Sequence, residues 1–282
     1  MTIGWVYDRQ FLLHDTGSAH PERPERLLAI NEALEKTGFK DHLKPISCRA
    51  GRTDELALIH EPAYIDMVRM MCDEGFAFIG SPDTPICARS FDIALLATGS
   101  VLAACDAVLD GEVNAAFCAV RPPGHHAEAD QAMGFCLFNH VACAAEHLVR
   151  RHDLKRLAIV DIDVHHGNGT QHAFEDRADV LYVSIHERPE SLPFPGSGYR
   201  EERGFGDGLG YTLNLPMESG SGDEEYQAVF DEQLVPCLDD FAPQFVLVSC
   251  GFDALRSDRI ANICLQPASF GWMTERLVEV AN

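Results

Sequence analysis

The residues best suited to chemistry lie in one stretch, RLAIVDIDVHHGNGT, between Arg156 and Thr170. Asp161, Asp163 and His165 follow a short apolar run at a spacing of two, which in a strand places all three side chains on one face. A buried strand that ends in acids and a histidine presents them at the carboxyl edge of a parallel sheet. Open α/β folds keep their functional sites at that edge.

A simpler interpretation has to be weighed for each of these residues alone. An aspartate after a strand is often only the cap of the next helix, and a single histidine on an apolar face is usually a packed core residue. Four ionisable residues between Asp161 and His166 are harder to bury, because each would cost several kcal/mol without a counter-charge. The stretch therefore predicts a bound metal ion.

Two further polar clusters follow predicted strands. His125 and His126 come after the strand NAAFCAV and a Pro-Pro-Gly turn, and Asp253 comes after the strand FVLVSC. Paired histidines in a loop are most often surface residues, and their place after a buried strand makes a functional role an equal alternative. Because the carboxyl ends of parallel strands meet at one sheet edge, we expect the three clusters to converge there.

The elements that must position these residues alternate between strand and helix. This order predicts an α/β fold with a mostly parallel sheet and helices on both faces. The helix at 91–109 is apolar nearly all round and should be buried, and the glycine-rich section 193–217 suits a loop pressed against a site. Periodicity predicts helices over 21–39, 55–75, 91–109, 139–152, 170–177, 224–241 and 267–282, and strands over 3–8, 114–120, 157–160, 180–187 and 245–250.

Length and composition narrow the class of protein. A chain of 282 residues suits one α/β domain, and its formal net charge of −22 argues against direct nucleic-acid binding. No run approaches the roughly 18 apolar residues of a membrane-spanning helix, so we expect a soluble, cytoplasmic protein without a membrane partner. The ten cysteines form no CxxC pair and look like reduced core residues.

The predicted metal ligands are Asp163, His165 and Asp253. Three protein ligands leave a coordination position open for water or substrate, which is typical of a catalytic site, whereas structural zinc has four. The mixed oxygen and nitrogen donors suit Zn²⁺, and Fe²⁺, Co²⁺ and Mn²⁺ remain alternatives.

Such a site predicts metal-assisted hydrolysis of an amide. A bound metal ion lowers the pKa of its water and polarises a carbonyl group. His126 could take the proton from that water and return it to the leaving amine, while His125 stabilises charge nearby. Asp161 and Asn168 are suitable partners for the two imidazoles, where they would set tautomer and orientation.

Five ordered motifs resemble a known family. They are RPPGHHA at 121–127, GFC at 134–136, DIDVHHGNGT at 161–170, PFPGSG at 193–198 and GFDA at 251–254. Together they resemble the zinc-dependent histone deacetylase superfamily, and Asn168 with GFDALRSD leans toward its class II and bacterial amidohydrolase branch. The resemblance runs from about His20 to the end of the chain.

The resemblance implies the arginase/deacetylase α/β fold as a single catalytic domain over residues 1–282. It places one zinc ion on Asp163, His165 and Asp253, and the catalytic histidine pair on His125 and His126.

The resemblance also implies a substrate tunnel and a second ion. Phe135 and Phe194 match the aromatic walls of a tunnel that holds an acyl-lysine side chain, with Gly134 beside them. Arg26 aligns with an arginine of an inner product channel. The residues of a structural K⁺ site align with Asp161, Asp163, Ser184 and the backbone of His165 and Ile185. The implied substrates are acetylated proteins or small acetylated amines, and a homo-oligomer is left open.

Two departures from the family pattern bear on activity. Family members carry a Gly-Gly-Tyr motif after the last helix, whose tyrosine stabilises the oxyanion, and the chain stops at Asn282 without it. The expectation is either a truncated chain or weak hydrolysis, because one lost oxyanion donor costs about two to three powers of ten in rate. Ile260 stands where polyamine-preferring relatives have an acidic residue, which does not favour a cationic polyamine.

Three alternatives remain open to the main hypothesis of a zinc-dependent deacylase. The chain could be an impaired module that binds acyl-lysine without cleaving it, which the missing tyrosine motivates. It could be an acetylpolyamine amidohydrolase, against which Ile260 argues. A two-manganese ureohydrolase on the same fold would need additional bridging carboxylates, where the sequence has Asn168.

Overall fold

A computed structural model describes residues 1–281 of the protein. These residues divide into two compact units, the first ending at Arg151 and the second beginning at His152. Each unit has its own group of paired parallel strands with helices in the connections.

The first unit is organised around strand β1. Its elements are β1 (Ile3–Val6), α1 (Glu25–Lys36), β2 (Leu43–Pro45), α2 (Thr53–Leu56), α3 (Pro62–Asp73), α4 (Ser90–Leu109), β3 (Ala115–Cys118) and α5 (His140–His152). Strand β1 pairs in parallel with β2 on one side and with β3 on the other. Short 3-10 helices follow β1 at Arg9–Leu13 and α1 at Phe39–His42.

Helix α1 shows why the sequence sets these boundaries. Pro24 directly precedes its first residue, where the missing N–H of proline costs no hydrogen bond. Leu27 faces the core, and Gly38 just beyond the helix has a φ of 69°. A side chain disfavours that left-handed conformation, so glycine is suited to end the helix.

Helix α4 is the apolar core helix of the first unit. By length and composition alone it could cross a membrane, with a mean hydropathy of 1.7, so the expectation that no run approaches that length was wrong for this helix. Within the structure 61% of its most apolar window is buried, and the core helix of a soluble protein has the same composition. The prediction that 91–109 forms a buried helix is confirmed.

The second unit is organised around strands β4 and β5. Its elements are β4 (Leu157–Asp161), α6 (Asn168–Phe174), β5 (Val180–Glu187), β6 (Thr212–Met217), α7 (Asp223–Val229), α8 (Val235–Phe241), β7 (Phe245–Ser249) and α9 (Pro267–Ala281). The strands lie in the order β6-β5-β4-β7 and pair in parallel. A short π-helical turn, Phe230–Leu234, joins α7 to α8, and a 3-10 turn lies at Gly206–Gly208.

Burial explains why β4 and β5 contain few polar residues before their carboxyl ends. Every residue of both strands is buried, and apolar side chains such as Val160, Val183 and Leu215 form the core with Phe230 and Leu277. Burial of that kind contributes about 25 cal/mol per Å² of apolar surface removed from water. Asp161, at the end of β4, is therefore held in position by a closely packed core.

Several predicted elements differ from the structure. Strands β2 and β6 were not predicted, because LKP is short and TLNLPM was included in the glycine-rich loop. The single helix expected over 55–75 is two helices, because the chain leaves the helix between Leu56 and Pro62.

The cysteines are all free, as predicted, and all ten lie within the described residues. Cys250 is exposed, so the description of the whole set as core residues was wrong for that residue.

Candidate active site

The turn after β4 holds two of the predicted metal ligands. The strand ends at Asp161, whose Oδ1 atom accepts the N–H of Asp163 at 3.1 Å. Oδ1 of Asp163 in turn accepts the N–H of His165 at 2.9 Å. These two side-chain to backbone hydrogen bonds of the turn therefore orient Asp163 and His165. The spacing of two had suggested instead that both side chains lie on one face of a strand.

Asp253 reaches the same place from the neighbouring strand. Strand β7 pairs with β4, and the turn after it lets Oδ1 of Asp253 accept the N–H of Val164 at 3.0 Å. Its Oδ2 atom lies 3.0 Å from Nδ1 of His165. A Cβ atom on Gly251 would lie 2.0 Å from Oδ2 of Asp163, so a glycine is required beside the carboxylates.

The three side chains together fit a divalent metal ion. One ligand atom from each of Asp163, His165 and Asp253 lies within 4.8 Å of the other two, and each residue is partly buried. Two carboxylate oxygens and one imidazole nitrogen form a donor set that suits Zn²⁺ and similar ions. The structure thus brings together the three residues that the sequence predicted as ligands.

The electrostatics of the cluster favour a cation at its centre. Burial opposes a positive charge on His165, but hydrogen bonds and charge interactions with Asp163 and Asp253 outweigh it and raise the pKa of His165 to about 10. Burial, together with the negative charge of Asp163, raises the pKa of Asp253 to about 6. The two carboxylates therefore stabilise a protonated imidazole. A divalent ion bound between the three side chains would neutralise the negative charge of the carboxylates instead.

The residues predicted for a monovalent cation lie beside this cluster. Asp161 is the Cα partner of Ser184 in the pairing of β4 with β5, and both are buried. The hydroxyl of Tyr182 lies 3.4 Å from Oδ2 of Asp161 and accepts the N–H of Gly167 at 3.1 Å. The side chains of Asp161, Tyr182 and Ser184 thus place buried oxygen atoms near one another, and hard cations bind to oxygen ligands. Ile185, whose backbone is predicted to be a further ligand, directly follows Ser184.

The histidine pair lies in the first unit. His125 and His126 are buried, and their ring centroids are 3.9 Å apart. A Cβ atom on Gly124 would lie 2.8 Å from the carbonyl oxygen of Phe138, so the preceding turn can form only around a glycine. His140 supports the same turn, because its Nε2 atom lies 3.0 Å from the carbonyl oxygen of Pro122.

Sequence reasoning missed a buried ion pair that holds the histidine-bearing turn. Arg121 is fully buried, and its Nη2 atom donates to Oε2 of Glu22 at 2.9 Å while Nη1 donates to the carbonyl of Phe11 at 3.0 Å. Oε2 of Glu22 also lies 3.7 Å from Nε2 of His14. Burial lowers the pKa of His14 to about 4, so its imidazole is neutral at pH 7. An arginine at the end of an apolar strand was the available signal, since a buried guanidinium needs a carboxylate.

The predicted tunnel residue of the first unit has an unusual backbone. Phe135 has a φ of 70° and follows Gly134, whose φ is 52°. Its N–H donates to Oγ1 of Thr84 at 3.2 Å, and its ring packs edge-on against His20. The turn-rich loop at 80–90 therefore contacts a residue predicted to bind substrate.

The remaining predicted site residues lie at different depths. In the second unit, the ring of Phe194 is 5.9 Å from that of His165 and 36% exposed, and Ile260 is 39% exposed. Asn168 is buried at the start of α6. In the first unit, the side chain of Arg26 is 44% exposed, and its Nη1 atom lies 3.4 Å from Oε1 of Glu22. The functions assigned to these residues stay predictions.

Comparison with known proteins gives consistent matches along the chain. The family model described as histone deacetylase domain matches residues 20–282. The chain is 39% identical to histone deacetylase clr3 of Schizosaccharomyces pombe, covering 99% of the chain and 44% of that protein. It is 40% identical to the human polyamine deacetylase HDAC10, covering 96% of the chain and 42% of that protein. The chain thus spans less than half the length of these two relatives.

A solved structure has the same fold. The crystal structure of the HDA15 HD domain superimposes with a TM-score of 0.95 at 37% identity, covering 99% of the chain and 81% of that domain. The match confirms the predicted α/β fold class with parallel strands and flanking helices.

Proposed function

Because the chain belongs to the histone deacetylase family, we propose that it is a zinc-dependent amide hydrolase that removes acetyl or other acyl groups from lysine side chains or small acetylated amines. The observation that supports this best is the cluster of Asp163, His165 and Asp253, whose ligand atoms lie within 4.8 Å of one another. Three protein ligands would leave a coordination position for substrate, as a catalytic metal site requires.

The residues of the chain divide the chemistry between them. Asp163, His165 and Asp253 would hold the metal ion, which when bound polarises the amide carbonyl and lowers the pKa of water. We assign to His126 the removal of a proton from the attacking water and its delivery to the leaving amine, and to His125 the stabilisation of nearby charge. With ring centroids 3.9 Å apart, two charged imidazoles would repel, so the pair is suited to carrying one proton at a time.

The substrate is proposed from the residues around the site. By the family resemblance, we assign to Phe135 and to Phe194 contacts with the methylene groups of an acyl-lysine. Ile260 gives the surface no carboxylate at the position where a cationic polyamine would need one, which favours an acetylated protein over a polyamine. A net charge of −22 would still attract basic peptides. We propose K⁺ beside Asp161 and Ser184, and the cytoplasmic location stays a prediction.

A second candidate is a module that binds acyl-lysine and cleaves it slowly. It is favoured by the surroundings of the tyrosines. Tyr64 donates its hydroxyl to the carbonyl of Leu137, Tyr182 is bonded to Gly167, and Tyr226 is buried in the core. The hydroxyls of Tyr64 and Tyr182 are thus engaged within the protein and do not serve as the donor that stabilises a substrate oxyanion in a hydrolase of this type.

Metal content and turnover measured on the same sample test the proposal. We expect about one zinc ion per chain and hydroxamate-sensitive release of acetate from an acetyl-lysine reporter peptide. Tight binding of the peptide without turnover would favour the second candidate, and two transition-metal ions per chain would favour a ureohydrolase. His126→Ala should lower kcat by about two to four powers of ten, whereas His42→Ala, on the surface of the same unit, should leave it unchanged.

A further inference from the structure

The glycine-rich loop after β5 is attached to the interior of the second unit by buried polar side chains. Residues 193–203 carry Phe194, whose ring packs edge-on against His165. We propose that the network built on Gln171 and Glu202 is a positioning device that holds Phe194 where it can bind an acyl side chain. This inference rests on the proposed function, and its two central residues, Gln171 and Glu202, lie outside the five family motifs.

The carboxylate of Glu202 ties the loop to itself and to helix α6. Its Oε2 atom accepts the N–H of Gly198 at 2.9 Å and the side-chain amide of Gln171 at 2.8 Å. Its Oε1 atom accepts the N–H of Tyr199 at 3.2 Å. An ionised carboxylate can only accept hydrogen bonds, so it fixes which end of the Gln171 amide faces the loop.

The side-chain oxygen of Gln171 connects the network to His166, the residue next to the predicted ligand His165. Its Oε1 atom accepts Nδ2 of Asn214 at 2.7 Å and lies 2.9 Å from Nε2 of His166. Because Oε1 only accepts, Nε2 of His166 must carry a hydrogen atom. In the neutral imidazole Nδ1 is then an acceptor, and it lies 2.8 Å from the hydroxyl of Ser197.

His166 links the metal ligands to the aromatic residue of the loop. It directly follows His165, and its partner Ser197 lies three residues after Phe194. The short segment between Phe194 and Ser197 therefore has one end at the ring that faces His165 and the other end bonded to His166. A displacement of the loop would break hydrogen bonds to the same turn that carries the ligand.

A second attachment fixes the loop at Gly198. Its carbonyl oxygen accepts Nε2 of His186 at 2.8 Å, and Nδ1 of His186 lies 2.8 Å from Oγ of Ser184. Gly198 has a φ of 95°, and a Cβ atom there would lie 2.5 Å from Nε2 of His186 and 2.7 Å from Cγ of His166. The backbone of the loop at Gly198 therefore packs directly against the imidazoles of His166 and His186, with no space for a side chain at this position.

The composition of the network indicates a purpose beyond stability. Gln171, His166, His186 and Asn214 are buried, and Gln171 forms hydrogen bonds with both His166 and Asn214. Buried polar groups contribute less stability than apolar ones of the same size, but when satisfied they specify a single arrangement. A loop that has to hold an aromatic ring against a metal ligand needs that specificity.

Paired substitutions at neighbouring glutamates test the proposal in the full-length chain. Glu202→Leu removes the carboxylate, whereas Glu201→Leu makes the same change at an exposed position of the loop. We expect Glu202→Leu to raise KM for an acetyl-lysine peptide about tenfold while kcat changes less, and Glu201→Leu to change neither. Glu202→Gln should have an intermediate KM, because its amide oxygen can still accept from Gly198 and Gln171 but its NH2 group would face the N–H of Tyr199. Ser197→Ala, a milder change, should raise KM in the same direction.

Two readouts separate this inference from the proposed function. Trypsin should cleave after Arg200 or Arg203 faster in Glu202→Leu than in Glu201→Leu, and the absorption spectrum of bound Co²⁺ should be the same in both. If the KM values of these variants are equal, the loop does not position substrate; if their cleavage rates are equal, Glu202 does not hold the loop. Either result overturns the inference. A wild-type chain that neither turns over nor binds the peptide would refute the proposed function, while the tryptic pattern would still decide whether Glu202 holds the loop.

Discussion

In the candidate metal centre, Nδ1 of His165 lies 3.0 Å from Oδ2 of Asp253, although the two residues are 88 positions apart in the chain. The contact exists because β4 and β7 are neighbours in parallel, so that the turns following them meet at the same edge. An imidazole nitrogen that faces two carboxylates is a donor set that suits a divalent cation, which would take the place of the proton on the imidazole.

Replacing one ligand should remove the metal without unfolding the protein. Asp253→Asn keeps the size of the side chain but removes the charge that binds the cation, and we expect zinc affinity to fall by more than about 100-fold. Zinc titration with a competing chelator measures the change. Asp239→Asn, at an exposed position on α8, is the matched control and should bind zinc normally. Equal affinities in the two variants would contradict the assignment of Asp253.

Zinc binding should release a proton and strengthen as pH rises. The raised pKa of His165, about 10, means that its imidazole holds a proton at pH 7 that the metal must displace. Between pH 6.5 and 8 the apparent affinity should therefore rise about tenfold per pH unit for each proton released. Calorimetry in buffers with different ionisation enthalpies measures the proton count. An affinity independent of pH over that range would show that His165 is not protonated in the metal-free protein.

The same residues show how much of the site the sequence could predict. Asp163, His165 and Asp253 could be chosen because ligand chemistry depends on residue type and because they follow short apolar runs, at 157–160 and 245–248, that are typical of strands. Strand β5 was predicted with the bounds Val180–Glu187, since VLYVSI is rich in the β-branched and aromatic residues that favour strands. These features are local, and local patterns are what a sequence displays directly.

The parts that could not be predicted depend on contacts between distant residues. Arg121 and Glu22 lie 99 positions apart, and no periodic pattern links them. Strand β6 was missed because its pairing with β5 stabilises TLNLPM in a conformation that Asn214 and Pro216 do not favour by propensity. The turn at 161–165 was approximated as a strand because the same spacing of two also describes a ladder of side-chain to backbone hydrogen bonds.

Arg121 and Glu22 should depend on each other for their contribution to stability, so that replacing either one alone is strongly destabilising. Glu22→Gln leaves a buried guanidinium without its counter-charge, and we expect a loss of about 3–5 kcal/mol in the free energy of unfolding. Arg121→Met combined with Glu22→Gln should lose less than the sum of the two single changes, because no uncompensated charge remains. Denaturant unfolding of the four proteins measures the coupling. Additive losses would show that the two side chains do not interact.

Alanine substitutions at two glycines of one loop distinguish the effect of backbone strain from the effect of a steric clash. Gly196 and Gly198 have φ values of 96° and 95°, so an alanine at either position pays a similar conformational cost of about 1–2 kcal/mol. A Cβ atom at 196 has no neighbour closer than 3.8 Å, whereas at 198 it would lie 2.5 Å from Nε2 of His186. We therefore expect Gly198→Ala to destabilise the protein by about 1–3 kcal/mol more than Gly196→Ala, since overpacking adds to strain. Thermal unfolding of both variants measures the difference, and equal melting temperatures would mean that the loop does not rest on His186.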